Sequence, residues 1–465
     1  MFTKNDYCAA LTNQRPSNVP FYNPKENIYY KSPSNISKKK TTAKPSKNKS
    51  GYYTSSVGSN VKYGDSGRST DIASKPAKTI TTGSTLGSTP GLSATLNKSS
   101  MRKISTPASS GYSLTDHEKS VYGNRMAPGY KKLDLLGKGG CAIVWLARHL
   151  DTGKKVAVKQ FPKKADTSSG KVEALILQRI FETEIDPKEF PGINYIAELL
   201  DINEDKHDLW LTYELGGMTL TKNLFEVKGE FYKGERVYHC SYQDLYFAMK
   251  KDRTVLIDFM TKMCQVFELL AALDIVHADL KPDNILVDFD GKEITGLKLI
   301  DFGSAFIYSE ATSVSMSTPE YLSPEVLKFI DKRHMHGLDG GKALFDKMEP
   351  WSYDIWSLGA IFLEIITGFP LWLGLKGKIK TRTGKNVVNY GVFGVQGRVN
   401  AKIINKQVSA LKNLQSCVKK YDSYGFENDD VLMDFLYGLL DKSPRKRISP
   451  TEALSHPFML AEVSA

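Results

Sequence analysis

The chain has 465 residues, 41% of them hydrophobic and 25% charged, and a net charge of +12; this balance excludes collagen-like, fibrous and wholly disordered chains and leaves room for a sizeable core. The charge is uneven: residues 1–110 hold 17 Lys or Arg against 4 Asp or Glu, while the remainder holds 46 against 47. The basicity that would invite a nucleic-acid reading therefore belongs to the leader and not to the folded part, which is close to neutral.

Cys8, Cys141, Cys240, Cys264 and Cys417 follow neither a paired nor a metal-like spacing, which suits a reducing compartment. The first residues contain no apolar run of signal-peptide length and no Met-Gly start, and no apolar stretch is long enough to span a bilayer. The expectation is a soluble protein of the cytoplasm or nucleus.

Residues 1–115 are rich in Ser, Thr, Lys, Gly, Asn and Pro and poor in branched apolar residues. Such a segment cannot bury enough surface to offset chain entropy, so a disordered basic leader is expected. Its Lys38-Lys39-Lys40 tract, with tyrosines such as Tyr52 and Tyr53, could meet a polyanionic partner such as a microtubule surface or acidic lipid; a solvated tail is the plainer account. Arg102-Lys103-Ile104-Ser105 and Thr106-Pro107 look like phosphate-acceptor sites.

Order is expected from near Tyr130. Leu133, Leu135 and Leu136, then Ile143, Val144 and Leu146, then Val156, Ala157 and Val158 mark three short β-runs, as in an antiparallel meander. The first turn reads Gly137-Lys138-Gly139-Gly140-Cys141-Ala142. Glycines in such a hairpin let backbone N–H groups approach phosphates, although a glycine hairpin alone is more often just a turn. Lys159 ends the third run and needs an acidic partner. Glu173 heads a helical stripe of Ile176, Leu177 and Ile180 and so faces the core. Its rivals are Glu184 and Glu182, the latter sharing a face with Gln178 and Arg179.

Leu209 to Leu215 reads as a buried strand containing Tyr213 and Glu214, running into Gly216-Gly217 as a flexible connection. Residues 222–252 exceed what a connection needs. Val255, Phe259, Met263, Val266, Phe267 and Leu270 recur at helical spacing from Thr254 to Ala272. The loop His277-Ala278-Asp279-Leu280-Lys281-Pro282-Asp283-Asn284 follows. It sets an acid, a lysine and an amide at fixed spacing, which are groups that phosphoryl transfer requires. A β-run then leads into Asp301-Phe302-Gly303, and later come Thr318-Pro319-Glu320-Tyr321-Leu322-Ser323-Pro324-Glu325, Asp354 in a helical run, and Arg447 in a basic cluster. Glu325 needs a partner if it is buried, since an unpaired interior carboxylate costs on the order of several kcal/mol. Residues 373–430 form a second long stretch rich in Lys, Gly and Asn.

In this order, across residues 130–458, these segments resemble the eukaryotic protein kinases of Ser/Thr type. The resemblance implies an α+β, two-lobed protein kinase fold over 128–459: a small β-rich N-lobe, 128–214, and a larger mainly helical C-lobe, 215–459, with insertions at 222–252 and 373–430. It implies ATP and Mg²⁺ as cofactors, protein substrates and a monomeric domain. Gly137 and Gly139 would cover the phosphates, and Lys159, held by Glu173, would bind them. Glu214 and Leu215 would meet adenine through backbone groups, between Val144 and Ala157 as roof and Leu286 as floor. Asp279 would be the catalytic base, Lys281 the contact to the transferring phosphate, and Asn284 and Asp301 the metal ligands. Thr318 would bridge Asp279 and Lys281, Arg447 would pair with Glu325, Asp354 would anchor the catalytic loop, and His277 would pack. Tyr213 would stand behind the nucleotide pocket, although a plain core tyrosine accounts for it equally well.

Three positions depart from the family pattern: Ala142 for the third glycine, Ser323 for the usual alanine, and Ala278 for arginine. That arginine captures an activation-loop phosphate in many kinases and does no chemistry. Its absence does not imply a dead enzyme: Lys159, Asp279, Asn284 and Asp301 are all present, and an active enzyme with little dependence on phosphorylation at Thr312, Ser313, Ser315 and Ser317 is expected. A pseudokinase scaffold is the alternative, resting on Ala142 and Ala278. A small-molecule kinase has no reason to carry Thr318 to Glu325.

Overall fold

The β-branched and aromatic runs after Tyr130 form strands β1 (Tyr130–Lys138), β2 (Ile143–His149) and β3 (Lys155–Pro162), joined by β4 (Leu199–Glu204) and β5 (Asp208–Glu214). They build one antiparallel sheet in the order β1-β2-β3-β5-β4. The structure, a computed structural model, describes residues 114–164, 167–232, 235–311, 318–330, 344–368, 377–380, 386–389 and 398–461. The expected leader up to residue 113, its acceptor sites and the loop residues Thr312 to Ser317 lie outside the described residues, while Thr115, expected in the leader, caps the first described helix.

Before the sheet comes a helix in the stretch that sequence reasoning left unassigned. Helix α1 (Asp116–Tyr122) starts at a capping box between Thr115 and Glu118, which satisfies two of its free N–H groups. Tyr122 is buried with Leu135, Ile143 and Trp145. Its carbonyl accepts from the Gln160 amide at 3.1 Å, and the same amide accepts the Trp145 indole N–H at 2.9 Å. Arg125 reaches Asp208, whose side chain is wholly buried, through two nitrogens.

Helix α2 (Ser168–Glu182) packs against β4 and β5 of the sheet and buries Glu173, Ala174, Ile176, Leu177 and Ile180. Its N-cap Thr167 makes no side-chain capping bond, and its first turn carries no acid. Packing rather than capping must hold its N-terminal end in place.

The larger part of the chain is mainly helical. β6 (Met218–Thr219) and α3 (Leu220–Leu224) lead into the 222–252 segment, a hairpin of β7 (Phe225–Tyr232) and β8 (Glu235–Tyr242) followed by α4 (Asp244–Lys251). The central helix α5 (Arg253–Ala272) begins at Asp252, whose carboxylate accepts the Thr254 N–H. Its buried stripe includes Val255, Phe259, Met263, Val266, Phe267 and Leu270.

β9 (Ile275–Val276), β10 (Ile285–Phe289), β11 (Ile294–Leu299) and β12 (Phe306–Ile307) then flank the loops that carry the chemistry, with β10 between β11 and β6. A helix over 324–330, α6, precedes α7 (Ser352–Thr367), buried along its whole length. In the second long stretch stand a hairpin of β13 (Gly377–Lys380) with β14 (Asn386–Asn389), α8 (Arg398–Lys412) and α9 (Leu414–Tyr421); α10 (Asp430–Leu439), α11 (Pro450–Leu454) and α12 (Pro457–Leu460) close the chain. Among the described residues, no helix is long and apolar enough to cross a membrane.

Candidate active site

The β1–β2 hairpin presents Gly137 opposite Val144. The Gly139 N–H donates to the Ala142 carbonyl at 2.8 Å, so the hairpin closes with a buried alanine at the third position. A Cβ at Gly137 would meet no protein atom within 4 Å. Protein packing therefore does not demand glycine there.

Antiparallel pairing sets Lys159 of β3 beside Val144 of β2. The Lys159 Nζ lies 2.7 Å from Glu173 Oε2 and 2.8 Å from Asp301 Oδ1. Glu173 is only 1% exposed, while the rivals Glu182 and Glu184 are exposed. Burial would lower the Lys159 pKa, but the charges of Glu173 and Asp301 outweigh it and raise it. Burial likewise works to raise the Asp301 pKa; the charge and hydrogen bond of Lys159 prevail, helped by the charge of Lys281, and hold it at about 2. Both groups are charged at neutral pH.

The catalytic loop hangs from α7. Asp354 accepts the backbone N–H groups of His277 at 2.7 Å and Ala278 at 3.0 Å. Those bonds fix a left-handed backbone at Ala278, φ +65°, a conformation that costs a non-glycine residue on the order of 1–3 kcal/mol. His277 accepts the Asp279 N–H on Nδ1 at 3.3 Å and faces the Ile300 carbonyl from Nε2 at 3.0 Å, an arrangement that places its proton on Nε2. With both nitrogens engaged and its ring edge-on to Phe302 at 4.8 Å, His277 is part of the packing.

Asp279 is the hub of the loop. Its Oδ1 accepts from the Thr318 hydroxyl at 2.8 Å and its Oδ2 from Lys281 Nζ at 2.6 Å. Lys281 also reaches Thr318 Oγ1 at 3.2 Å. The Asn284 amide nitrogen donates to the Asp279 carbonyl at 2.8 Å, which leaves the amide oxygen as a donor atom for a cation. Among the described residues, Asp301 Oδ2 has no hydrogen-bond partner. Asn284 and Asp301 thus supply two hard oxygens, a set that fits Mg²⁺, which completes its shell with phosphate and water. No cluster of three or more His, Cys, Asp or Glu suited to a metal is found among the described residues.

Val144, Ala157 and Leu286, the expected walls of a nucleotide pocket, are half-buried. The side chain of Glu214 is structural: it pairs with Lys298 at 2.5 Å and accepts the Glu198 N–H at 3.1 Å. Its backbone N–H goes to the Glu198 carbonyl. Leu215 follows it into Gly216-Gly217, and what reads in sequence as a flexible linker is a close approach. A Cβ on Gly216 would lie 2.7 Å from Leu286 Cδ1, and one on Gly217 would lie 2.4 Å from the Val287 carbonyl oxygen.

Arg447 is 2% exposed. It grips Glu325 through both terminal nitrogens at 2.7 and 2.9 Å, donates to the Ser352 and Asp441 carbonyls, and lies 4.9 Å from the Trp356 ring. The bridge from Lys138, in the glycine hairpin, to Glu118 of α1 at 2.5 Å was missed in sequence. The Thr115-x-x-Glu118 capping pattern was its available signal.

A protein-kinase-domain family model matches residues 130–459. The dual specificity tyrosine-phosphorylation-regulated kinase 2 of Drosophila melanogaster is 26% identical over 370 residues, which cover 76% of this chain and 44% of that protein. The serine/threonine-protein kinase ppk5 of Schizosaccharomyces pombe is 26% identical over 366 residues, 74% of this chain and 37% of ppk5. The DYRK-family kinase pom1 of the same yeast is 31% identical over 284 residues, 60% of this chain and 22% of pom1. The chain spans less than half the length of each of these relatives. The family model covers most of the chain and takes in the whole Lys159–Glu173–Asp301 and Asp279–Lys281–Thr318 arrangement: the chain belongs to the eukaryotic protein kinase family.

Proposed function

We propose that this chain is an active kinase that transfers the γ-phosphoryl group of ATP to Ser or Thr hydroxyls of protein substrates. The observation that carries this reading is the Asp279 carboxylate, which already accepts a hydroxyl, that of Thr318, at 2.8 Å with Lys281 2.6 Å away. A substrate hydroxyl needs that same acceptor for its proton and that same cation beside the transferring group. ATP with Mg²⁺, when bound, supplies the phosphoryl group. Lys159 would bind its phosphates, Asn284 and Asp301 would hold the metal, and the side chains of Val144, Ala157 and Leu286 would enclose the base.

Alanine at 278 offers no cation to an activation-loop phosphate. Little dependence on phosphorylation of that loop follows. The basic leader as a polyanion-binding segment, a monomeric domain, and a cytoplasmic or nuclear location belong to the same proposal and rest on the sequence.

The test measures radiolabelled phosphate transfer to a basic protein and to peptides bearing only Ser, Thr or Tyr, alongside nucleotide binding. We expect transfer well above Asp301→Ala, a preference for Ser and Thr peptides, and most activity retained when Thr312, Ser313, Ser315 and Ser317 are all alanine. Intact nucleotide binding with no transfer above Asp301→Ala would favour the scaffold reading. Loss of most activity in the fourfold variant would sink phosphorylation independence, and equal transfer to Tyr peptides would sink the Ser/Thr preference.

A further inference from the structure

Glu173 carries more than the Lys159 pair. Its second oxygen, Oε1, accepts the Tyr213 hydroxyl at 2.8 Å, and both residues are buried, Glu173 at 1% exposure and Tyr213 at 8%. Tyr213 sits on β5, in register with Ala157 of β3 on one side and Leu199 of β4 on the other. Its hydroxyl therefore ties the carboxylate of α2 to β5, while Lys159 ties the other oxygen to the neighbouring, central strand β3.

Helix α2 needs such ties. It has no side-chain N-cap and no acid in its first turn. Gly170, near its start, is packed so closely that an added Cβ would lie 2.9 Å from the Phe161 ring. A helix with an uncapped start and a glycine in its first turn gains little from its N-terminal end, so the position of that end is set by what its buried face holds. The same helix touches the metal-binding triplet, where a Cβ on Gly303 would come within 3.3 Å of Ser169.

We propose that Tyr213 is a positioning residue: its hydroxyl locks Glu173, and through it Lys159 and α2, in the arrangement that receives nucleotide, without a modification of the activation loop. The proposal rests on the kinase reading above. It supplies an ordering device where the family's phosphate-capturing arginine is replaced by Ala278. Burial, and then the charge of Glu173, raises the Tyr213 pKa well above its usual value, so the hydroxyl stays protonated and donates. With both its oxygens bonded, Glu173 leaves no buried acceptor unsatisfied.

Tyr213→Phe removes one oxygen and keeps the ring. Loss of a hydrogen bond to a buried charged group typically weakens the dependent equilibrium about tenfold. We expect nucleotide to bind about tenfold more weakly, KM for ATP to rise by a similar factor with the KM for peptide unchanged, and amide hydrogen exchange over 168–182 to quicken while α5 stays protected. In a Glu173→Gln background, Tyr213→Phe should add little, because the shared bond is already weakened. Unchanged nucleotide affinity and unchanged exchange over 168–182 in Tyr213→Phe would overturn the proposal and leave Tyr213 a core tyrosine. Faster exchange spread equally over both lobes would also overturn it, since that reports a general loss of stability. Nucleotide binding and exchange require no phosphoryl transfer, so this result and the failure of the kinase reading are separable.

Discussion

Glu364 of α7 shows how a single buried group can make this protein's stability depend on pH. It is 5% exposed and accepts the Tyr321 hydroxyl at 2.8 Å. Burial raises its pKa, the tyrosine bond opposes this, the charge of Asp283 adds to it, and the result is about 7. The folded chain therefore holds a proton that the unfolded chain releases near its ordinary value of 4.5. The stability tied to that proton is complete below the unfolded pKa and is lost as pH rises through about 7. Glu364→Gln keeps an oxygen for Tyr321 and never ionises. Relative to the natural chain it should gain on the order of 2 kcal/mol between pH 5 and pH 8, read as a Tm difference that widens across this range. A constant difference would show that Glu364 does not titrate there. Groups of this kind were invisible in sequence, since nothing near Glu364 in the chain predicts Tyr321 or Asp283 beside it. Asp279, Lys281, Asn284 and Asp301 were readable because each lies in a short run whose chemistry demands those residue types at that spacing.

At the scale of elements, strands and helices with regular apolar spacing were readable and the insertion at 222–252 was not. Its order comes from a pair distant in sequence. Lys250 of α4, its side chain 1% exposed, donates to the Ile366 carbonyl and pairs with Asp422, which is wholly buried. Phe426 and Tyr424 add ring contacts at 4.4 and 5.0 Å. The 222–252 segment is thus fastened to the end of the 373–430 stretch. Burial lowers the Lys250 pKa, and Asp422 acts against that. Removing one partner of such a pair strands the other, at a cost of about 3–5 kcal/mol. Lys250→Met should destabilise by that amount in urea titration. Adding Asp422→Asn, which keeps an acceptor for the Tyr424 and Phe426 N–H groups, should restore most of it. A double variant no more stable than the single one would mean that packing of the lysine stem, and not its charge, holds the two insertions together.

For the whole molecule, the folded unit begins before the sheet does. The family model starts at residue 130, and the apolar strand pattern starts there too, because both register the β-sheet. The preceding turn-and-helix segment is bound by contacts that leave no periodic trace: Tyr122 against Leu135, Ile143 and Trp145, its carbonyl on Gln160, and Arg125 on Asp208 across 83 positions of chain. A chain starting at Tyr130 would expose the Tyr122 seat, worth roughly 1.5–3 kcal/mol for a large apolar side chain. It would also leave Asp208 as a buried charge without its partner, a further cost of about 3–5 kcal/mol. Together these approach the whole stability of a typical domain, on the order of 5–15 kcal/mol. A chain starting at Leu114 should melt within about 2 °C of the full chain, and one starting at Tyr130 at least about 10 °C lower. Arg125→Ala in the full chain separates the two contributions, because it strands Asp208 while keeping Tyr122 in place, and it should reproduce more than half of the drop. Equal melting of the chains starting at Leu114 and Tyr130 would show that the sheet stands without α1, and would confine the Glu118–Lys138 bridge to the glycine hairpin's own geometry.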